Sequence, residues 1–487
     1  MIMNILAIPV SIEASHSAML PNSRMLLRAY KFSQFRRIQK IHSSATENQH
    51  AVAFEVDTAQ QFSEIPGPTP FKLITRHLPG GKYYKKGLVS FVNSFRDEYG
   101  NISKIPGVFG KSDIVLVYDP EDFKTVFQTQ GSFPIRKGID TMIHYRQEIR
   151  KDFCQGVLGV AVDQGQSWWE LRHKMNAIMM KPQITRKYIS VIDEVVQDFV
   201  KRQHNLRDAN NETPDDFYNE LNMWALESIA YIIMDTRLGI FDNTSPGNMH
   251  SLMKDLKVFF DLTFKLNFLP SFWKYFPTSD YKRLTKSCDN ILTTIQGCVN
   301  IGIKKIKENS DDIENQGVLK KLLEIDVKVA TIMIIDLLFA GIDTNPEKQE
   351  KLRKELLKIL PEKNSPLTVE NTRNMPYLRA CIKEALRLMP VTYGNFRTTP
   401  ERWIRPENSK ITCPVNASAH PFAYLPFGFG TRMCIGRRFA EMEIESIVSR
   451  FVRHYNIEWK HPDPKIVCMA INMPVTPLKF RFTEIEA

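Results

Sequence analysis

Apolar residues recur along most of this chain at intervals of three and four. Ile444, Ile447, Val448, Phe451, Val452 and Tyr455 fall at i, i+3, i+4, i+7, i+8 and i+11, one face of a helix. The same period marks Val191–Phe199, Leu221–Met234, Ile335–Phe339, Gln349–Leu360 and Leu378–Leu388. Strand-like runs are few and short, the clearest being Ile114–Tyr118 and Leu478–Phe482. Ahead of all of these, Ile65-Pro66-Gly67-Pro68-Thr69-Pro70 enforces an extended entry to the folded body. No segment repeats and none is of low complexity. The pattern predicts one mainly α domain with minor β over residues 61–487, preceded by a leader over residues 1–60.

Composition narrows the class. The 487 residues are 43% hydrophobic and 10% aromatic, enough for a large core. The net charge of +11 comes without any lysine- or arginine-rich tract. It fits an acidic protein partner or an anionic membrane surface better than nucleic acid. Seven cysteines are scattered with no C-x-x-C pair, which argues against a disulfide framework or zinc site and for a reducing compartment. No run approaches the roughly 18 consecutive apolar residues of a membrane-spanning helix. From Met19 to about Ala51 the chain carries Arg24, Arg28, Lys31, Arg36, Arg37 and Lys40, with Glu47 as the only acid and Leu26, Leu27, Tyr30 and Phe35 interleaved. That leader looks like a mitochondrial transit peptide.

The chemistry concentrates in Pro426-Phe427-Gly428-Phe429-Gly430-Thr431-Arg432-Met433-Cys434-Ile435-Gly436. Glycines 428, 430 and 436 let the backbone take positive φ angles and approach a flat partner closely. The apolar face that follows puts Cys434 at or just before a helix N-terminus, where N–H groups and the dipole favour a thiolate. Arg432 adds positive charge, and Phe427 and Phe429 would keep water off a sulfur–metal bond. Three readings are open: a buried structural cysteine, a phosphate-binding loop, and haem ligation by one thiolate. The phosphate loop needs a lysine or a G-x-G-x-x-G pattern, and neither is present.

Phe427-x-x-Gly430-x-Arg432-x-Cys434-x-Gly436 resembles the haem-binding loop of the cytochrome P450 family at every defining position. The resemblance runs from about Ile65 to the C-terminus. It implies a haem-thiolate fold holding haem b, with Cys434 on the iron and Phe427 and Gly436 against the cofactor. Trp168-x-x-x-Arg172 resembles the family's propionate-binding helix, and Arg432 and Arg397 match further propionate donors. Glu384, Arg387 and Arg402 match a buried charge triad under the haem loop. Ala340-Gly341-Ile342-Asp343-Thr344 matches the oxygen-activating segment, with Asp343 and Thr344 as proton-handling residues. Arg379, Lys383, Arg437 and Arg438 match the surface on which mitochondrial members dock an acidic ferredoxin, itself reduced by an NADPH-dependent reductase. The wording around Cys434 looks most like insect mitochondrial members associated with foreign compounds.

The implied activity is insertion of one atom of O2 into a small lipophilic substrate, xenobiotic or steroid-like, at the matrix face of the inner mitochondrial membrane. The aromatic stretch from Phe259 to Phe276 is either ordinary core or a substrate entrance touching the membrane as a peripheral contact. Two departures from the family stand out. Asn345-Pro346 follows Thr344 at once, favouring a helix stop where the family's central helix continues. Only Leu388–Thr399 separates Arg387 from Pro400, where the family places several strands of about 5–6 residues each. Both read as missing segments with clean edges. They keep open a catalytically impaired or non-catalytic haem-binding variant, and, from another class, a haem-thiolate isomerase or dehydratase needing no electron donor.

Overall fold

The computed structural model describes residues 62–136, 139–234, 237–242, 249–308, 346–392, 394–398, 420–468 and 472–485. The leader, Ile335–Phe339, Asp343, Thr344 and Arg402 lie outside the described residues. Chain entry is extended through Thr69, whose side chain caps the Pro70–His77 helix by accepting from Lys72 N–H, with Pro70 at the first turn.

The core is built on three helices. In Ile189–Leu206, residues Ile192, Val195, Val196, Phe199, Val200 and Gln203 are buried along one stripe. That stripe packs against Phe217–Met234 and against Arg437–His454, with the Phe199 and Phe451 rings 5.7 Å apart. At the same contact Arg450 holds Asp193 by two hydrogen bonds, both side chains being almost wholly buried. Asp193 also accepts from Leu367 N–H at 2.9 Å, and Arg450 donates to Lys363 O at 3.2 Å. The pair therefore ties two helices to the connecting chain. A second pair, Met249–Phe268 and Ser279–Glu308, packs along its length beside this core.

Among the described residues the sheet is three antiparallel two-stranded ribbons: Ile102–Ile105 with Ile114–Val117, Tyr455–Glu458 with Arg481–Glu484, and Ile466–Cys468 with Asn472–Pro474. Three boundaries differ from expectation. The apolar face of the last helix includes Tyr455, but the helix ends at His454 because Tyr455 pairs with Glu484. The last strand begins at Arg481 rather than Leu478, because Leu478 and Phe480 bond instead with Thr213. Pro346 opens the Pro346–Ile359 helix, the first-turn position that proline tolerates.

Candidate functional site

The 426–436 loop folds back on itself. Gly428 N–H donates to Leu425 O at 3.0 Å, Met433 N–H to Gly430 O at 3.0 Å and Cys434 N–H to Phe427 O at 2.9 Å. Gly428 and Gly430 take φ of 71° and 72°, as the turn requires, whereas Gly436 sits at φ −84° and is the helix N-cap. The helix starts at Arg437, so Cys434 precedes it by one short turn. Burial pushes the Cys434 thiol up to about 11, although the Gly436 N–H and the Arg172 charge both favour thiolate. The expected depression by the helix start alone is thus outweighed by desolvation. A metal's own charge deprotonates a coordinating thiol. Phe427 is buried beside the loop, but Phe429 is 39% exposed and turns toward Phe422 and Phe127, so it does not shield the sulfur as expected.

Four guanidiniums gather around this loop. The Gly165–Met179 helix buries Trp168 and Arg172 on one face. Arg172 donates to Met433 O at 2.6 Å, next to the cysteine, and to Asn176 Oδ1 at 2.8 Å. Trp168 N–H is engaged by Val160 O at 2.9 Å, and its ring carries the Arg432 guanidinium 3.7 Å above it. The indole thus supports Arg432, with its N–H bonded within the chain. Arg432 donates to Pro134 O, Asp163 O and Gln164 Oε1. Arg397 donates to Gln130 Oε1 at 2.6 Å and lies over the Phe127 ring. Arg136, which no sequence motif singled out, donates to Ala161 O at 2.8 Å.

The donors of Arg172, Arg397 and Arg432 thus meet carbonyl and amide oxygens. Burial first, and then repulsion from Arg136, lowers Arg172 and Arg397 to about 10 and Arg432, which Arg397 and Arg172 also repel, to about 8. Three cations held below their ordinary range form a standing demand for an anion. A haem brings two carboxylates and an iron that binds a single soft thiolate, so the donor set fits. Arg172, Arg397, Arg432 and Arg136 would meet the carboxylates, and Cys434 the iron. Once bound, that iron supplies the oxygen chemistry.

Other expected site residues lie apart. Glu384 and Arg387 form a two-bond pair at 2.7 and 2.8 Å, but both are exposed, not buried. The reason is the helix phase: Pro376–Leu388 turns Leu378, Ile382 and Leu386 inward, leaving the pair on the outer face. Arg379 donates to Glu445 at 2.8 Å and to the carbonyls of Thr372 and Arg373, while its side chain stays 42% exposed. Arg437 pairs with Glu441 at 2.9 Å, while Lys383 and Arg438 are exposed. The aromatic stretch divides: Phe259, Phe264 and Trp273 are core, while Phe272, Tyr275 and Phe276 are exposed.

The cytochrome P450 family matches residues 65–402 and 396–482. The chain is 36% identical over 480 residues to "Probable cytochrome P450 12b2, mitochondrial" of Drosophila melanogaster, covering 87% of each. It is 36% identical over 502 residues to "Cytochrome P450 CYP12A2" of Musca domestica, covering 90% of this chain and 93% of that one. In fold it is similar to the crystal structure of a cytochrome P450DA haem domain, with a TM-score of 0.62 at 16% identity over 87% of this chain and 98% of that chain. The resemblance of the Cys434 loop and the arginine cluster around it therefore extends over nearly the whole chain, which belongs to the cytochrome P450 family of haem-thiolate monooxygenases.

Proposed function

We propose that this monooxygenase works at the matrix face of the inner mitochondrial membrane, taking electrons from an acidic ferredoxin and inserting one oxygen atom into a small lipophilic substrate, xenobiotic or steroid-like. The observation that carries the site is Cys434, pinned through its N–H to Phe427 O inside the arginine cluster. In this reading Cys434 ligates the iron, Arg172, Arg397 and Arg432 hold the propionates, and Asp343 with Thr344 handles protons on the oxygen side. Glu384, Arg387 and Arg402 serve structure. Arg379, Lys383 and Arg438 carry the ferredoxin contact, with Arg437 sharing its charge with Glu441. The exposed Phe272, Tyr275 and Phe276 suit a peripheral membrane contact, and among the described residues no helix is long and apolar enough to cross a membrane.

The test is the reduced, CO-bound absorption spectrum of the purified chain. A Soret band at the thiolate position supports the reading, and Cys434→Ala should abolish it. An unchanged band in that variant would refute the ligand assignment. Turnover with a ferredoxin and its NADPH reductase, but not with a membrane flavoprotein reductase, supports the partner.

One observation favours a second reading. The alignment with the Musca domestica protein runs over 502 residues, more than the 487 of this chain, and the family match splits into two stretches meeting at 396–402. The split supports a missing segment between Arg387 and Pro400, and with it a haem-binding chain of impaired catalysis. A full thiolate band without turnover on any lipophilic substrate would select that reading.

A further inference from the structure

The loop between the Ile102–Ile105 and Ile114–Val117 strands reaches across to the connection that follows the Met249–Phe268 helix. Lys111 Nζ donates to Leu266 O at 3.1 Å and also to Leu269 O, 155 and 158 positions away. These carbonyls lie at and just beyond a helix C-terminus, where helical bonding leaves acceptors without donors and the dipole favours a cation. Leu266 O also accepts from the buried Trp273 N–H at 3.0 Å. Beside this contact the Phe109 and Phe272 rings are 4.3 Å apart. Tyr275 passes so close to Gly110 that a Cβ there would sit 3.2 Å from its hydroxyl. Lys274, between them in sequence, pairs with Asp140 at 2.6 Å.

The loop is bent to make this reach. Phe109 takes φ of 52°, a left-handed conformation that a bulky residue adopts only under constraint, and Gly110 follows at 73°. Lys111 N–H donates to Val108 O at 3.2 Å and Gly107 N–H to Asp113 Oδ1 at 2.7 Å, closing the loop on itself. The two sides belong to different cores. Val108 packs on the small cluster of Leu73, Tyr83 and Phe95, whereas Leu266 and Trp273 belong to the large one. Across the contact stand a buried amine and a ring, Phe272, that is 46% exposed. A contact with so little buried apolar surface opens far more readily than a packed interface.

We propose that residues 107–113 are a latch on the 266–276 connection, with Lys111 as its bolt and Phe109 as the seat of Phe272, and that its opening sets how fast lipophilic molecules reach and leave the haem site. The second half rests on the haem and substrate readings above.

The test uses purified holoprotein as wild type, Lys111→Met, Phe109→Gly and Lys286→Met, the last removing an exposed lysine of the Ser279–Glu308 helix as control. Amide hydrogen exchange reads the opening of residues 266–276. Stopped-flow Soret shifts with clotrimazole, a lipophilic azole that binds haem iron, read passage to the site. Lys111→Met keeps the apolar stem and should speed exchange in 266–276 about tenfold, the worth of a hydrogen bond to a charged group. Clotrimazole should bind and leave faster by a similar factor with its dissociation constant unchanged, since a gate alters both rates together. Phe109→Gly should do the same while keeping its melting temperature, because relief of the left-handed strain offsets the lost ring contact. A merely structural tie would lower the melting temperature and leave the azole rates alone.

The pH dependence has a definite sign. Burial, with repulsion from Lys274 and against attraction from Asp140, lowers the bolted amine from 10.5 to about 8. Between those values the closed latch holds fewer protons than the open one, so it tightens as pH rises. Exchange of 266–276, corrected for its intrinsic base catalysis, should slow in wild type from pH 8 to about 9.5 and stay level in Lys111→Met. Wild-type exchange in both latch variants overturns the proposal, and so does faster exchange with wild-type azole rates. If Lys111→Met does not fold, Phe109→Gly decides. A wild-type chain that takes up no haem sinks the haem reading and the gating half with it, and the exchange arm then decides the latch.

Discussion

Gly430 holds φ at +72°, and a Cβ there would sit 2.9 Å from Gln130 Nε2. Gln130 is the amide that receives Arg397. Gly430→Ala should therefore cost about 1–2 kcal/mol in backbone strain alone, measured by chemical unfolding, and should also loosen Arg397. Gly87, at φ −65° with nothing within 4 Å of its would-be Cβ, is the control, and Gly87→Ala should stay within about 0.5 kcal/mol of wild type. A second residue-scale effect comes from Glu443, which is buried with Oε1 lacking a hydrogen-bond partner among the described residues. Burial lifts its carboxyl from 4.5 to about 8. The folded state then holds this proton more tightly than the unfolded chain does. Stability from this group is complete below pH 4.5 and is lost as pH rises through about 8. Glu443→Gln should flatten that fall, so its melting temperature should exceed wild type at pH 9 and approach it at pH 5; parallel curves would contradict the assignment. At this scale, Cys434, Arg432 and Trp168-x-x-x-Arg172 were legible because several functional groups recur at set spacings. Arg136, Gln130 and Gln164 were not, because a lone arginine or glutamine in a loop has no period and looks like a solvated side chain.

Between elements, the Asp193–Arg450 pair joins Ile189–Leu206 to Arg437–His454 and reaches into the chain at Lys363 and Leu367. Asp193→Ala leaves a guanidinium buried without its counter-charge, and should destabilise the fold by about 3–5 kcal/mol in denaturant unfolding. Helix phase was legible wherever one stripe is apolar, as in Ile192, Val195, Val196 and Phe199. What the stripe could not tell was where it ends. Tyr455 continues the apolar face, yet its backbone partner is Glu484, a contact invisible to local periodicity. The exposure of Glu384 and Arg387 has the same origin, since spacing shows that two charges can meet and not what covers them.

The whole chain carries a net charge of +11 and is proposed to receive electrons from an acidic protein. Encounter between opposite charges is screened over a Debye length of about 10 Å at 0.1 M salt. Reduction by ferredoxin should therefore slow steeply as ionic strength rises, in stopped-flow measurements, while reduction by dithionite should change far less. Fold class and family were legible at this scale, because a mainly helical pattern and a long motif point the same way.

The arginine cluster also sets an order of events. Arg432 bonds to Pro134 across 298 positions of sequence, Arg397 to Gln130 across 267, and Arg172 to Met433 across 261. No fragment lacking the final quarter of the chain contains a complete cofactor site. Closing such long loops is slow because their entropy is lost before any contact rewards it. Cofactor capture is thus among the last steps of assembly, and a newly made chain must keep its first half soluble until the cysteine loop arrives.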